Sequence, residues 1–136
     1  MFEVVNEIAV LGTALFMVAV ATLWYSPYLF QKQWMRAVGL TEADVEEGEK
    51  KAKVNFLITF TSYIVSVFLI AIAIGYAQIF DIAVQKVALA LAVGFASLLA
   101  GFVAWEQRTL QYYLVTVGFS SVFIIGSTCL LFYWPW

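Results

Sequence analysis

The stretch VNFLITFTSYIVSVFLIAIAIGYAQIF, residues 54–80, runs for 27 positions without an aspartate, glutamate, lysine or arginine. About 20 helical residues cross a hydrocarbon core of about 30 Å, so this stretch is long enough to span a membrane. Three further charge-free runs, 8–31, 87–105 and 109–136, contain 24, 19 and 28 residues. Open strands would leave backbone amides and carbonyls unpaired in lipid, so the runs read as helices. The expected fold is an all-α membrane protein, a compact bundle of four transmembrane helices in a single domain over residues 1–136. Its spans fall at about 8–30, 54–80, 87–105 and 110–134, with a structured helical loop, 31–53, on the cytoplasmic side.

Composition agrees. The chain is 64% hydrophobic and 12% charged, with a mean hydropathy of +0.93, where globular chains carry roughly a quarter charged residues. It has no histidine and one cysteine, Cys129. Histidine triads, histidine metal helices and cysteine-rich zinc or iron–sulfur sites therefore lack their residues. No catalytic residue, metal site or cofactor is expected. The net charge of −2 comes from an acidic cluster between Glu42 and Glu49 closely followed by Lys50, Lys51 and Lys53, not from a single-sign tail, which argues against nucleic acid as a partner. The first run lacks a basic n-region, having Glu3 and Glu7 instead, and is expected to remain in the mature protein.

Lys32, Arg36, Lys50, Lys51, Lys53 and Arg108 fall between spans one and two or three and four, and only Lys86 falls on the other side. By the positive-inside rule both termini lie on the extracytoplasmic side of the cytoplasmic (inner) membrane. Trp24, Tyr25, Trp34, Trp105, Tyr112 and Tyr113 would then mark the cytoplasmic interface, and Tyr133, Trp134 and Trp136 the outer one. The loop reads as two short interfacial helices broken at Gly39-Leu40, the second opened by a capping-box pattern at Thr41-Glu42-Ala43-Asp44. Glu46 and Lys50, Glu47 and Lys51, and Glu49 and Lys53 have the spacing of helical ion pairs.

Helical periodicity sorts the remaining residues into faces. On span three, Ala83, Ala90, Gly94, Ser97, Gly101 and Ala104 share one narrow face of small residues. Such a face packs closely on another helix, within the bundle or across a subunit boundary. Asn55, Thr59, Ser62 and Ser66 share a face of span two, continued by Ala73 and Ala77. Thr109, Tyr112, Thr116, Ser120 and Ser127 share one of span four. These hydroxyls either join helices or line a hydrated pocket. Glu106 and Arg108 follow span three. They form either a boundary ion pair or, with Glu106 turned inward, a site for a cation or proton. Because Arg108 lies about 200° from Glu106 on a continuous helix, they meet only if the helix breaks near Trp105, with Thr109 capping the next.

Leu23-Trp24-Tyr25-Ser26-Pro27-Tyr28-Leu29-Phe30, followed by Lys32, Trp34-Met35 and Gly39-Leu40-Thr41, resembles the domain of unknown function 1761 family, small and mostly bacterial membrane proteins. The similarity continues through Gly94-Phe95 and Glu106-Gln107-Arg108 into a last span ending in tryptophan. Ala21 and Gln31 stand where the family usually has glycine. The resemblance implies four membrane helices and brings no activity. From the residues themselves, Pro27 should kink or end the first span. The polar residues Tyr25, Ser26, Asn55, Thr59, Ser62, Glu106, Arg108, Tyr112 and Thr116 all fall toward the cytoplasmic side.

The leading expectation is a non-enzymatic integral membrane protein, a four-helix assembly or accessory module. Its partners are the lipid bilayer and copies of itself or other membrane subunits. The alternative is a small oligomeric channel or transporter for an ion or small solute, using the polar site around Glu106. A membrane enzyme, limited to chemistry at Glu106, Tyr25 or Cys129, is the third reading.

Overall fold

The computed structural model describes residues 5–135. Glu3, ahead of the first span, and Trp136, expected at the outer interface, lie outside the described residues. Among the described residues six helices follow in order: α1 (Glu7–Trp24), α2 (Gln31–Val38), α3 (Glu42–Lys50), α4 (Ala52–Ile79), α5 (Val84–Trp105) and α6 (Leu110–Phe132). The described residues contain no strand. The four long helices are each apolar and long enough to cross a membrane.

Helix α1 opens on Asn6, whose side chain accepts from the amides of Ile8 and Ala9 at 3.0 and 3.1 Å. It ends at Trp24, short of the expected position 30, because Pro27 has no amide proton and disfavours helical geometry at Ser26. Its 18 residues are about 27 Å long. The chain then folds back on itself: the Phe30 amide donates to the Trp24 carbonyl at 3.0 Å and the Gln31 amide to the Ser26 carbonyl at 3.2 Å. This compact turn delivers α2 directly to the end of the bundle, where it packs on α6.

The loop contains the two helices expected of it, with Gly39 in the left-handed region at φ 75° and a closed Thr41–Asp44 capping box. None of the three expected glutamate–lysine pairs closes to within 4 Å; among the described residues the only ion pair joins Arg108 and Glu106. The chain breaks at Lys51 between α3 and α4, so helical spacing does not carry Glu47 to Lys51 or Glu49 to Lys53.

The two helical hairpins turn alike. Asp81 and Gln107 adopt left-handed backbone at φ 52° and 54°. Beyond them the Ile82 amide donates to the Ala77 carbonyl at 2.7 Å and the Arg108 amide to the Val103 carbonyl at 3.0 Å. Each bond satisfies a carbonyl that the helix end would leave bare.

Helix α6 is the hub, packing on α1, α2, α4 and α5. The core is built where α1, α4 and α6 meet, from Ala9, Ala14 and Met17, Val67, Ile70 and Ile74, and Phe123 and Leu131. Close approach of α1 and α6 relies on single glycines. A Cβ on Gly118 would lie 2.9 Å from the Trp24 ring, one on Gly126 2.8 Å from the Met17 methyl, and one on Gly12 2.9 Å from the Trp134 ring. The Trp24 indole nitrogen also donates to the Val115 carbonyl at 3.2 Å. Thr13 and Ser127, 1% and 0% exposed, bury hydroxyls that find no hydrogen-bond partner among the described residues.

Helix α5 lies to one side, against α6 and α4. Its buried face is Val84, Ala88 and Ala92. The expected packing face, Ala90, Gly94, Ser97, Gly101 and Ala104, is exposed, and open space surrounds Gly94 and Gly101. At 100° per residue it centres about 200° from the buried face. Within the protomer the packing expectation is thus corrected. Ala88 and Ala92 offer α6 an equally small surface, so the glycine face is turned outward.

Candidate functional site

An aromatic ladder organises one end of the bundle. Trp24 meets Phe30 at 4.6 Å between ring centroids, Tyr25 meets Trp34 of α2 at 5.4 Å, and both reach Phe119 of α6. Phe119 leads to Tyr63 and Phe123, which meet edge to face at 4.8 Å. These rings place α1, α2, α4 and α6 in register. They give the Trp-Tyr motif at the end of the first span a packing role, with Ser26 closing onto its own helix through Oγ to the Leu23 carbonyl at 2.6 Å.

Beside the ladder, α4 and α5 diverge over α6 and leave a lateral groove of about 660 Å³. Ser62, Tyr63 and Ser66 line it from α4, Ala90, Gly94 and Leu98 from α5, and Thr116, Phe119, Ser120 and Phe123 from α6. The expected hydroxyl faces of spans two and four therefore do meet, at Ser62, Ser66, Thr116 and Ser120. Two of these hydroxyls bond within their own helices: Ser66 to the Ser62 carbonyl at 2.9 Å and Ser120 to the Val117 carbonyl at 3.1 Å. Most of the lining is apolar, which suits an opening that faces lipid rather than water.

The other candidates lie elsewhere. Glu106 is the C-cap of α5, exposed, and absent from the groove. The helix break expected at Trp105 is present, and Thr109 caps α6 by accepting from the Tyr112 amide at 3.2 Å. Arg108 Nε reaches Glu106 Oε2 at 3.4 Å with the side chains 40% and 55% exposed, and its guanidinium lies 5.6 Å from the Tyr112 ring centre. This is a boundary ion pair. The inward orientation considered for Glu106 is corrected, because the left-handed turn at Gln107 lets Arg108 satisfy the carboxylate outside the bundle. Asn55 donates to the Gly48 carbonyl at 3.4 Å, bracing α4 against α3, and Thr59 is half-buried one turn further on. Ser127, on the same face of α6 about two turns beyond Ser120, is buried in the core and does not line the groove. The single polar site suggested by the sequence thus resolves into a groove, a boundary pair and two helix-end braces.

Several structural residues escaped the sequence reading. Gly12 is the one glycine of α1 and is followed a turn later by Phe16, and Gly118 and Gly126 are separated on their face of α6 by Val122, so no continuous stripe of small residues marks them. Tyr113, read as an interfacial aromatic, ties α6 to α5 through its hydroxyl and the Ala96 carbonyl at 3.0 Å. Among the described residues no group of three acidic or cysteine side chains could hold a metal ion.

No curated protein and no solved structure matches the chain. A family model described as "Protein of unknown function (DUF1761)" matches residues 8–132, from the second residue of α1 to the last of α6. The chain therefore belongs to the DUF1761 family.

Proposed function

We propose that the protein is a non-enzymatic integral membrane module that works by assembling, through the outer face of α5, with copies of itself or with other membrane subunits. One observation carries this reading: Gly94 and Gly101 have open space over them, while Gly12, Gly118 and Gly126 are filled from within the protomer. Glycine in a helix interior costs about 1 kcal/mol relative to alanine, and a second backbone at close range recovers that cost through packing. The cationic side chains support an inner-membrane location with both termini extracytoplasmic. Six of the seven lie at the end of the bundle that carries Trp24 and Trp105, and Lys86 lies at the other.

Counting photobleaching steps of labelled protein at low density in lipid vesicles tests the assembly. Wild type is expected as oligomers and the Gly94→Leu, Gly101→Leu double variant as monomers, with no loss of thermal stability. Monomeric wild type at every density would end the reading as self-assembly. A second reading rests on the groove: a helix docked over α5 would roof Ser62, Ser66, Thr116 and Ser120 and create a hydroxyl-lined path for a small solute. Glu106 would stand outside such a path.

A further inference from the structure

The corner between α2 and α3 is rigidly made. Gly39 turns left-handed, the Leu40 amide donates to the Met35 carbonyl at 3.0 Å, and the Thr41 amide and hydroxyl both donate to Asp44 Oδ2, at 2.8 and 2.7 Å. Between the two helices this corner holds open a groove of about 640 Å³. Lys32 and Arg36, one turn apart on α2, line one side; Glu42 and Glu46, one turn apart on α3, line the other. All four are exposed, and none forms an ion pair among the described residues. Met35 and Val45, both half-buried, add apolar lining between the charged walls.

A cationic wall facing an anionic wall across unfilled space complements a ligand that carries both charges a few bonds apart. A groove meant for an anionic lipid would not carry two glutamates, since like charge repels, and one meant for a cation would not carry lysine and arginine. Its position narrows the choice further. Six residues separate the end of α1 from the start of α2, and the Tyr25–Trp34 contact holds α2 against the end of the bundle. That is the depth of lipid headgroups for a bundle that spans the bilayer.

We propose that the α2–α3 groove seats the headgroup of a zwitterionic aminophospholipid. The phosphate lies on Lys32 and Arg36, where the guanidinium offers paired donors to its oxygens. The ammonium lies between Glu42 and Glu46, and the glycerol and upper acyl carbons run along Met35 and Val45. The inference is independent of the α5 assembly.

Native mass spectrometry of the delipidated full chain, offered equal amounts of phosphatidylethanolamine and phosphatidylglycerol, tests it. The wild type should retain phosphatidylethanolamine over phosphatidylglycerol by about fivefold, the scale of two partly exposed charge contacts. Glu42→Gln with Glu46→Gln should erase the preference by lowering phosphatidylethanolamine alone, and Lys32→Gln with Arg36→Gln should lower both lipids. Circular dichroism on each pair confirms that helix content is kept. Equal retention by the wild type, or an unchanged preference when the glutamates are neutralised, would overturn the proposal. Displacement of the lipid by free phosphoethanolamine at matched concentration would also overturn it, assigning the groove to a soluble ligand.

Discussion

The seam between α1 and α6 and the outer face of α5 are both built on small residues, and they do opposite things with them. In the seam each glycine stands alone and receives one large side chain: Trp24 over Gly118, Met17 over Gly126, Trp134 over Gly12. On α5 the small residues form a continuous strip, Ala90 to Ala104, which none of the described residues covers. An isolated glycine makes a hole for a knob, whereas a strip of small residues makes a flat surface for a backbone. The seam thus holds one protomer together, and the strip is suited to holding two helices of different chains.

Alanine substitutions tell the two faces apart most directly. At Gly118 the new methyl group meets the Trp24 ring at 2.9 Å. That ring is fixed by its bond to the Val115 carbonyl and by Phe30. Overpacking costs about 1–3 kcal/mol, against a gain of up to about 1 kcal/mol in helix propensity. Gly118→Ala should therefore lose about 1–2 kcal/mol in reversible unfolding in detergent. Gly126→Ala should lose less, because the atom met is the mobile methyl end of Met17. Gly94→Ala and Gly101→Ala should be neutral or gain up to about 1 kcal/mol. Equal effects at Gly118 and Gly94 would dissolve the distinction between the two faces.

How much of this was legible follows from the same contrast. Charge-free runs marked all four long helices because the bilayer imposes their length. Gly39 and Thr41-Glu42-Ala43-Asp44 marked the α2–α3 corner, because caps are local chemistry. The outer strip of α5 was visible as a periodic pattern, yet its neighbour was not, since Ala88 and Ala92 offered a rival small face. The holes at Gly118 and Gly126 depend on which residue of α1 comes opposite, about 100 positions away, and no local pattern encodes that. The sequence leaves Glu106 open between a boundary pair and an inward site because its orientation depends on a left-handed turn at Gln107, a residue with no strong preference for it.

That turn gives a smaller effect. Gln107 has φ 54°, a conformation that costs an ordinary residue about 1 kcal/mol or more and glycine almost nothing. Gln107→Gly should stabilise the α5–α6 hairpin by about 0.5–1 kcal/mol, after allowing for the greater freedom glycine brings to the unfolded chain. The gain should appear as higher thermal stability with the Arg108–Glu106 pair intact. A loss of stability would mean that Gln107 makes a contact outside the protomer, which would extend the assembly surface from α5 into its C-terminal turn.

The smallest effect belongs to the corner of the α2–α3 groove, where the contrast is between a helix end fixed by packing and one fixed by a single carboxylate. Asp44 accepts from the Thr41 hydroxyl and amide, and the Thr41 hydroxyl in turn accepts from the Asp44 amide at 3.3 Å. These bonds, the hydroxyl's first and the amide's second, hold the Asp44 carboxyl below its ordinary value of 3.8. Because the folded form is the stronger acid, the stabilisation is fully present above the ordinary aspartate range and is lost as pH falls through the lowered value. At neutral pH the cap is complete. Acidification should therefore speed hydrogen exchange at the first amides of α3 below pH about 4, while the first amides of α1, capped by uncharged Asn6, hold their protection after correction for intrinsic rates. Asp44→Asn should remove the pH dependence and leave α3 frayed at every pH, since the amide nitrogen cannot accept and the carbonyl oxygen carries no full charge. If α3 instead kept its protection through acid, the corner would be held by packing alone, and the groove it shapes would not depend on the capping box.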